Sequence, residues 1–83
     1  MSQRIGVIGI VVEDRGHAAA RINQILGEYA HLIVGRMGIP YRERKVSVIS
    51  LIIDGDTDEI GAMSGKLGNI KGVQVKSALV SKD

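Results

Sequence analysis

This 83-residue chain has no cysteine, no phenylalanine and no tryptophan, one proline, and Tyr29 and Tyr41 as its only aromatic side chains apart from histidine. Without cysteine there is no disulfide, no thiolate nucleophile and no cysteine-held zinc or iron–sulfur centre. Without Phe or Trp the core must be aliphatic, built from Ile, Val, Leu, Met and Ala. Neither sign of charge dominates, since eleven Lys and Arg against nine Asp and Glu leave +2. The one basic cluster, Arg42-Glu43-Arg44-Lys45, is interrupted by an acid and has no stacking platform beside it. It reads as a solvated hairpin tip, so no direct nucleic-acid partner is expected. Long apolar runs are missing as well. Met1 to Arg4 lead straight into a strand, without a signal-peptide core, and no run reaches membrane-spanning length. A cytoplasmic protein with no membrane partner is the expectation.

What is present reads twice. Ile5 to Val12, a helical run from Arg15 to Glu28, and Leu32 to Ile39 give strand, helix, strand. The order returns about forty residues later as Val46 to Ile53, Thr57 to Leu67 and Val73 to Val80. Ile5, Val7 and Val11 correspond to Val46, Val48 and Ile52; Ile22 and Leu26 correspond to Met63 and Leu67. Two βαβ halves in one short chain predict an α+β fold. It is a ferredoxin-like βαββαβ sandwich, an antiparallel sheet with two helices on one face, occupying residues 1–83 as a single domain. Such a domain buries only roughly 60–65% of its unfolded surface and has little stability to spare.

Ile5 to Val12 and Val46 to Ile53 are apolar at alternate and intervening positions alike, the pattern of central strands. Val73, Val75 and Leu79 alternate with Gln74 and Lys76, and strand two carries Arg36 and two glycines, so both read as edges. The expected order is 4-1-3-2. Proline 40 is expected to stop strand two, because it lacks an amide donor. On the first helix Ala18 or Ala19, Ile22, Ile25 or Leu26 and Tyr29 form the buried stripe, opposite His17, Arg21, Gln24 and Glu28. Asp14 is its natural N-cap. The second helix begins at Asp56 or Thr57 with Glu59 in capping-box register, buries Ile60, Met63 and Leu67, and ends on Gly68 as a left-handed cap.

Two helices cover one face of such a sheet and leave the other bare. One set of inner-strand side chains is Ile8, Ile10 and Val12 with Ile49, Leu51 and Ile53; the opposite set is Ile5, Val7 and Val11 with Val48 and Ile52. Both are apolar, so whichever lies away from the helices would meet water in a monomer. Burial of each is worth roughly 1.5–3 kcal/mol, which makes an interface the better account. A homo-oligomer, dimer or tetramer, is expected, with Ile8, Ile10, Ile49 and Leu51 as the named interface candidates. Shielding of a two-sided strand by loops is the alternative.

No catalytic constellation assembles. The serines lack nucleophile-elbow glycines, general acid–base chemistry would need His17 or His31 beside a suitably placed acid, and His31 has no second histidine or cysteine at metal-ligand spacing. Gly61-Ala62-Met63-Ser64-Gly65-Lys66 echoes a phosphate loop, but its glycine spacing is one residue short and it falls inside a helix. No catalytic residue, metal or cofactor is expected. The turn from Asp14 through Arg15 and Gly16 to His17 is the candidate effector site. It offers a helix N-terminus, a glycine that permits close approach, and an arginine able to hold an anion bidentately. Capping with an exposed ion pair is its other reading.

The run Ile60-Gly61-Ala62-Met63-Ser64-Gly65-Lys66-Leu67-Gly68-Asn69-Ile70-Lys71-Gly72-Val73-Gln74-Val75-Lys76 resembles a family signature. With Val11 to Arg15 and Arg36-Met37-Gly38-Ile39-Pro40, it is similar to the iron-only hydrogenase system regulators, over nearly the whole chain. The resemblance implies an ACT-like regulatory domain, similar to the metal-binding C-terminal domain of the nickel-responsive repressor. It further implies a link to the maturation or expression of iron-only hydrogenase. That repressor's nickel site uses several histidines and a cysteine. Here there is no cysteine and no histidine among Leu32 to Ile39, so nickel sensing is not expected. The repressor also carries a ribbon-helix-helix DNA-binding domain ahead of this module, which finds no match before strand one here, so direct DNA binding is not expected either. The resulting expectation is a non-enzymatic oligomeric module that binds a small effector or a partner protein. A regulatory subunit of an amino-acid biosynthetic enzyme and a small ferredoxin-like enzyme are the alternatives.

Overall fold

The computed structural model describes residues 3–13 and 18–81. Its elements are β1 (Gln3–Glu13), α1 (Ala18–Glu28), β2 (Ile33–Tyr41), β3 (Val46–Asp56), α2 (Thr57–Gly68) and β4 (Val73–Ser81). Short 3-10 turns lie at Ala30–Leu32 and Arg42–Arg44. The strands form one antiparallel sheet in the order β2-β3-β1-β4, with both helices on one face, which is the ferredoxin-like α+β sandwich. The two strands that are apolar on both faces are the inner pair. Burial is then possible for both faces only at the centre of a sheet.

Between sheet and helices lies an aliphatic core. Ile8, Ile10 and Val12 of β1 and Leu51 and Ile53 of β3 meet Ile22, Ile25 and Leu26 of α1 and Ile60, Met63 and Leu67 of α2. The repeat is structural: Ile22 and Leu26 occupy in the first half the place of Met63 and Leu67 in the second. Gly9 pairs across β1 and β3 with Ser50, and these are also equivalent positions of the two halves. A pseudo-two-fold axis therefore passes through the sheet between them.

Three local expectations are corrected. Strand two runs through Pro40 to Tyr41, with Pro40 opposite Ser47. An edge strand is paired along one side only, so the missing donor costs no ladder bond when it faces outward. Gly68 does not adopt the left-handed conformation. Asn69 caps α2 in a right-handed conformation, and the positive φ falls on Gly72 (82°), where the chain turns into β4. Asp56 caps α2 as expected, its Oδ1 accepting from the Asp58 amide at 3.0 Å. Glu59 does not close the box, because its carboxylate reaches His31.

Gly6 marks the tightest approach in the sheet. A Cβ there would lie 2.8 Å from Leu79 Cα and closer still to the Ala78 carbonyl oxygen, and backbone cannot rotate away as a side chain can. Gly61, inside α2, faces open space. In urea unfolding, Gly6→Ala is expected to lower stability by about 2–3 kcal/mol. Gly61→Ala is expected to raise it by up to about 1 kcal/mol through helix propensity. Equal effects would show that β1 and β4 are not held at this distance.

Candidate functional site

The face away from the helices is lined with apolar side chains. Ten large hydrophobic residues are exposed among the described residues, from Ile5 at 37% to Val34 at 69%. All of them lie on this face by strand alternation and register. Row by row they run Ile39, Val48 and Val11; then Met37 beside the small pair Ser50 and Gly9; then Ile52 and Val7; then Ile5 and Val80. Tyr41 and Val34 stand at the two ends of β2. Val7, Val11, Val48 and Ile52 thus surround a shallow trough at Gly9 and Ser50, on the pseudo-two-fold axis. With strands about 4.8 Å apart and about 3.3 Å of rise per residue, the face measures roughly 19 by 30 Å. Glu13 and Asp54 sit toward its ends, and Lys76 of the edge strand β4 stands beside Gly9 in the central row.

This placement corrects the interface candidates. Ile8, Ile10 and Leu51 are fully buried beneath the helices, and Ile49 is half-buried against the same core. Side chains on alternate residues point to opposite faces, so the exposed set is Ile5, Val7, Val11, Val48 and Ile52 instead. Sequence pattern could not decide between them, because both sets are branched aliphatics. The candidate effector residues Asp14, Arg15, Gly16 and His17 lie outside the described residues.

On the helix side, a polar chain ties α1 to α2. Lys66 Nζ lies 3.4 Å from Glu28 Oε1 and 5.1 Å above the Tyr29 ring. Tyr29 stacks on His31 with centroids 6.4 Å apart, and His31 Nε2 meets Glu59 Oε2 at 2.8 Å. Exposure of both His31 and Glu59 keeps that pair weak. Two grooves flank the helices. One of about 240 Å³ lies between α1 and the β2 edge, floored by Gly38, Pro40, Ser47 and Ile49 and walled by Ile22, Asn23 and Arg36. The other, about 530 Å³, lies between the glycines of α2 and β4. Ser64 borders it, and its Oγ is buried without a partner. Among the described residues no three His, Asp or Glu side chains converge as a metal site, and no helix is long and apolar enough to cross a membrane.

A model of TM1266-like proteins, described as "Iron-only hydrogenase system regulator, putative", matches residues 4–77. The chain belongs to this family. It is also similar to a solved structure, the uncharacterized protein TM1266 from Thermotoga maritima, at 42% identity and a TM-score of 0.89. The match covers 94% of this chain and 98% of that one. No curated protein matches. The resemblance in the glycine-rich second half is thereby supported, and in this TM1266-like chain the segment forms α2 and the turn into β4.

The two faces make a direct test. Leu51 is fully buried and its neighbour Ile52 is half exposed on the open side. Leu51→Lys is expected to abolish folding, with a loss of about 4 kcal/mol or more, and Ile52→Lys to change monomer stability by less than about 1 kcal/mol. Circular dichroism with urea unfolding reads both. A second test concerns Lys66, whose pKa is raised above 10.5, first by the Tyr29 side chain and then by Glu28. A folded value above the unfolded one means the contribution is complete at neutral pH and is lost only as pH rises past that range. Tyr29→Phe is expected to bring the Lys66 titration back toward 10.5 in side-chain NMR.

Proposed function

We propose that this chain is an oligomeric, non-catalytic regulatory module of an iron-only hydrogenase system, working in the cytoplasm on a small effector or a partner protein. Family membership supplies the system. The observation that carries the oligomer is the open sheet face, where ten large apolar side chains are exposed together. At roughly 570 Å² in projection, the face is at the upper end of what monomers leave in water. A stable interface takes about 800 Å² of accessible surface per partner, which a pleated face of this size can supply. The pseudo-two-fold symmetry of the face favours a second copy as the occupant. Rows of valine and isoleucine flank the Gly9–Ser50 trough, so the ridges of one sheet can fill the hollow of another. A dimer built this way keeps its helix faces free for an effector or a partner protein, and pairs of dimers give a tetramer.

Light scattering at micromolar concentration is expected to give a mass of two or four times 8.9 kDa. Val7→Lys and Ile52→Lys are each expected to shift the chain toward monomer while leaving the circular dichroism spectrum intact. A wild-type chain that stays monomeric would overturn the oligomer. Neighbouring genes test the system: hydrogenase maturation genes support the regulator, whereas an amino-acid biosynthetic catalytic gene beside this one would favour the regulatory-subunit alternative.

A further inference from the structure

The two halves of the sandwich provide an internal control for what the fold itself requires. A bulge between Ile33 and Gly35 shifts the register of β2 on β3, so that Arg36 lies opposite Leu51. In the second half Val75 lies opposite Ile10, and Ile10 and Leu51 are equivalent positions of the repeat. Arg36 therefore stands where the other half has Val75, a side chain packed against the core. The fold is satisfied there by an aliphatic residue, and β2 carries a cation.

That cation is held over a groove and is not neutralised. Arg36 Nη2 donates to Asn23 Oδ1 at 3.3 Å, and no carboxylate lies within ion-pair distance of it among the described residues. A guanidinium has five N–H donors in a planar fork, and a single amide oxygen uses one. Beneath it the groove of about 240 Å³ is mostly apolar, walled by Ile22 and floored by Ile49, Pro40 and Gly38. Ser47, half-buried in the floor, makes no side-chain hydrogen bond among the described residues. Gly38 leaves part of the space unfilled: a Cβ there would reach Ile49 only at ordinary contact distance, 3.8 Å.

We infer that this groove binds a small monocarboxylate with a branched aliphatic body. The carboxylate pairs bidentately with Arg36, and the aliphatic part lies on Ile22, Ile49 and Pro40. A planar fork of donors suits a carboxylate better than a point charge does, and a groove of about 240 Å³ suits a small ligand. As the effector site of the module it rests on the regulatory reading above, but binding is measured on the chain by itself. The site lies on the helix side of the sheet, away from the open face.

The test titrates 15N-labelled full-length chain with 4-methylpentanoate and, separately, with 4-methylpentylamine, which has the same aliphatic body and the opposite charge. The carboxylate is expected to move the amide signals of Asn23, Gly38 and Ser47 saturably, and the amine is expected to leave them in place. Arg36→Gln is expected to weaken binding about 10-fold or more, the usual contribution of a charge-assisted pair. Gly38→Leu, which fills the groove, is expected to abolish it. Because that variant could also disturb β2, Arg36→Gln, at an exposed position, carries the decision. Equal binding of the amine, binding unchanged in Arg36→Gln, or shifts confined to the groove between α2 and β4 would each overturn the inference. Ile52→Lys separates the two proposals, since it is expected to abolish self-association and keep carboxylate binding. Loss of one property without the other identifies which reading has failed.

Discussion

The pairing of β1 with β3 is the constraint on which the molecule depends. Eleven consecutive pairs join them, from Gln3 with Asp56 to Glu13 with Val46, and both strands are apolar on both faces. A strand pair of that kind has to sit at the centre of a sheet and needs cover on two sides. Among the described residues cover comes from one side only. Ile8, Ile10, Leu51 and Ile53 receive it from α1 and α2, and Val7, Val11, Val48 and Ile52 do not. The core, the edge positions of β2 and β4 and the apolar open face all follow from that shortage.

The repeat sharpens this. Gly9 and Ser50 are partners and equivalents at once, so the open face is nearly symmetric about its own centre. A surface with an internal two-fold presents similar relief to a partner in either orientation. In an isologous contact each patch meets its own copy, and near-symmetric relief lets that copy approach in two similar orientations. Small residues at the centre and branched ones around it also keep the sheet from being flat. That allows sheets to pack with side chains interdigitated at about 10 Å spacing.

Much of this was legible in the sequence. Period-two patterning identified the inner strands, the spacing of Ile22, Leu26, Met63 and Leu67 identified the helices, and the doubled order identified the sandwich. Which face of β1 lies under the helices was not legible, because Ile8 and Val7 are chemically alike and hydropathy alternation has no sign. Pro40 misled for a related reason: its effect depends on whether the strand is an edge, which is a property of the whole sheet. The helix-side groove was invisible as well. Asn23 and Arg36 are thirteen residues apart and meet only because α1 folds back over β2. The turn at Asp14 to His17 drew notice on local features alone, whereas Arg36 had no local feature to mark it.

Comparing the halves in sequence register would have concealed Arg36 too. With the repeat offset that aligns Ile22 with Met63, Arg36 falls beside Ser77, and one polar residue against another suggests nothing. Hydrogen-bond register instead puts Arg36 in the place of Val75, two residues away; the turn into β2 accounts for one of the two and the bulge between Ile33 and Gly35 for the other. A bulge adds a residue to one strand without lengthening its partner, and it re-aims the side chains that follow. Here it brings a cation, a glycine and a proline (Arg36, Gly38 and Pro40) to the helix side of the edge beside α1, where the second half has Val75, Ser77 and Leu79. Both halves fold into the same strand-helix-strand unit, so folding alone does not account for the difference. An inserted residue that trades a packed valine for an arginine weakens the edge it sits in. Arg36, Gly38 and Pro40, where β2 departs from its twin on the helix side, are also the residues that border the groove.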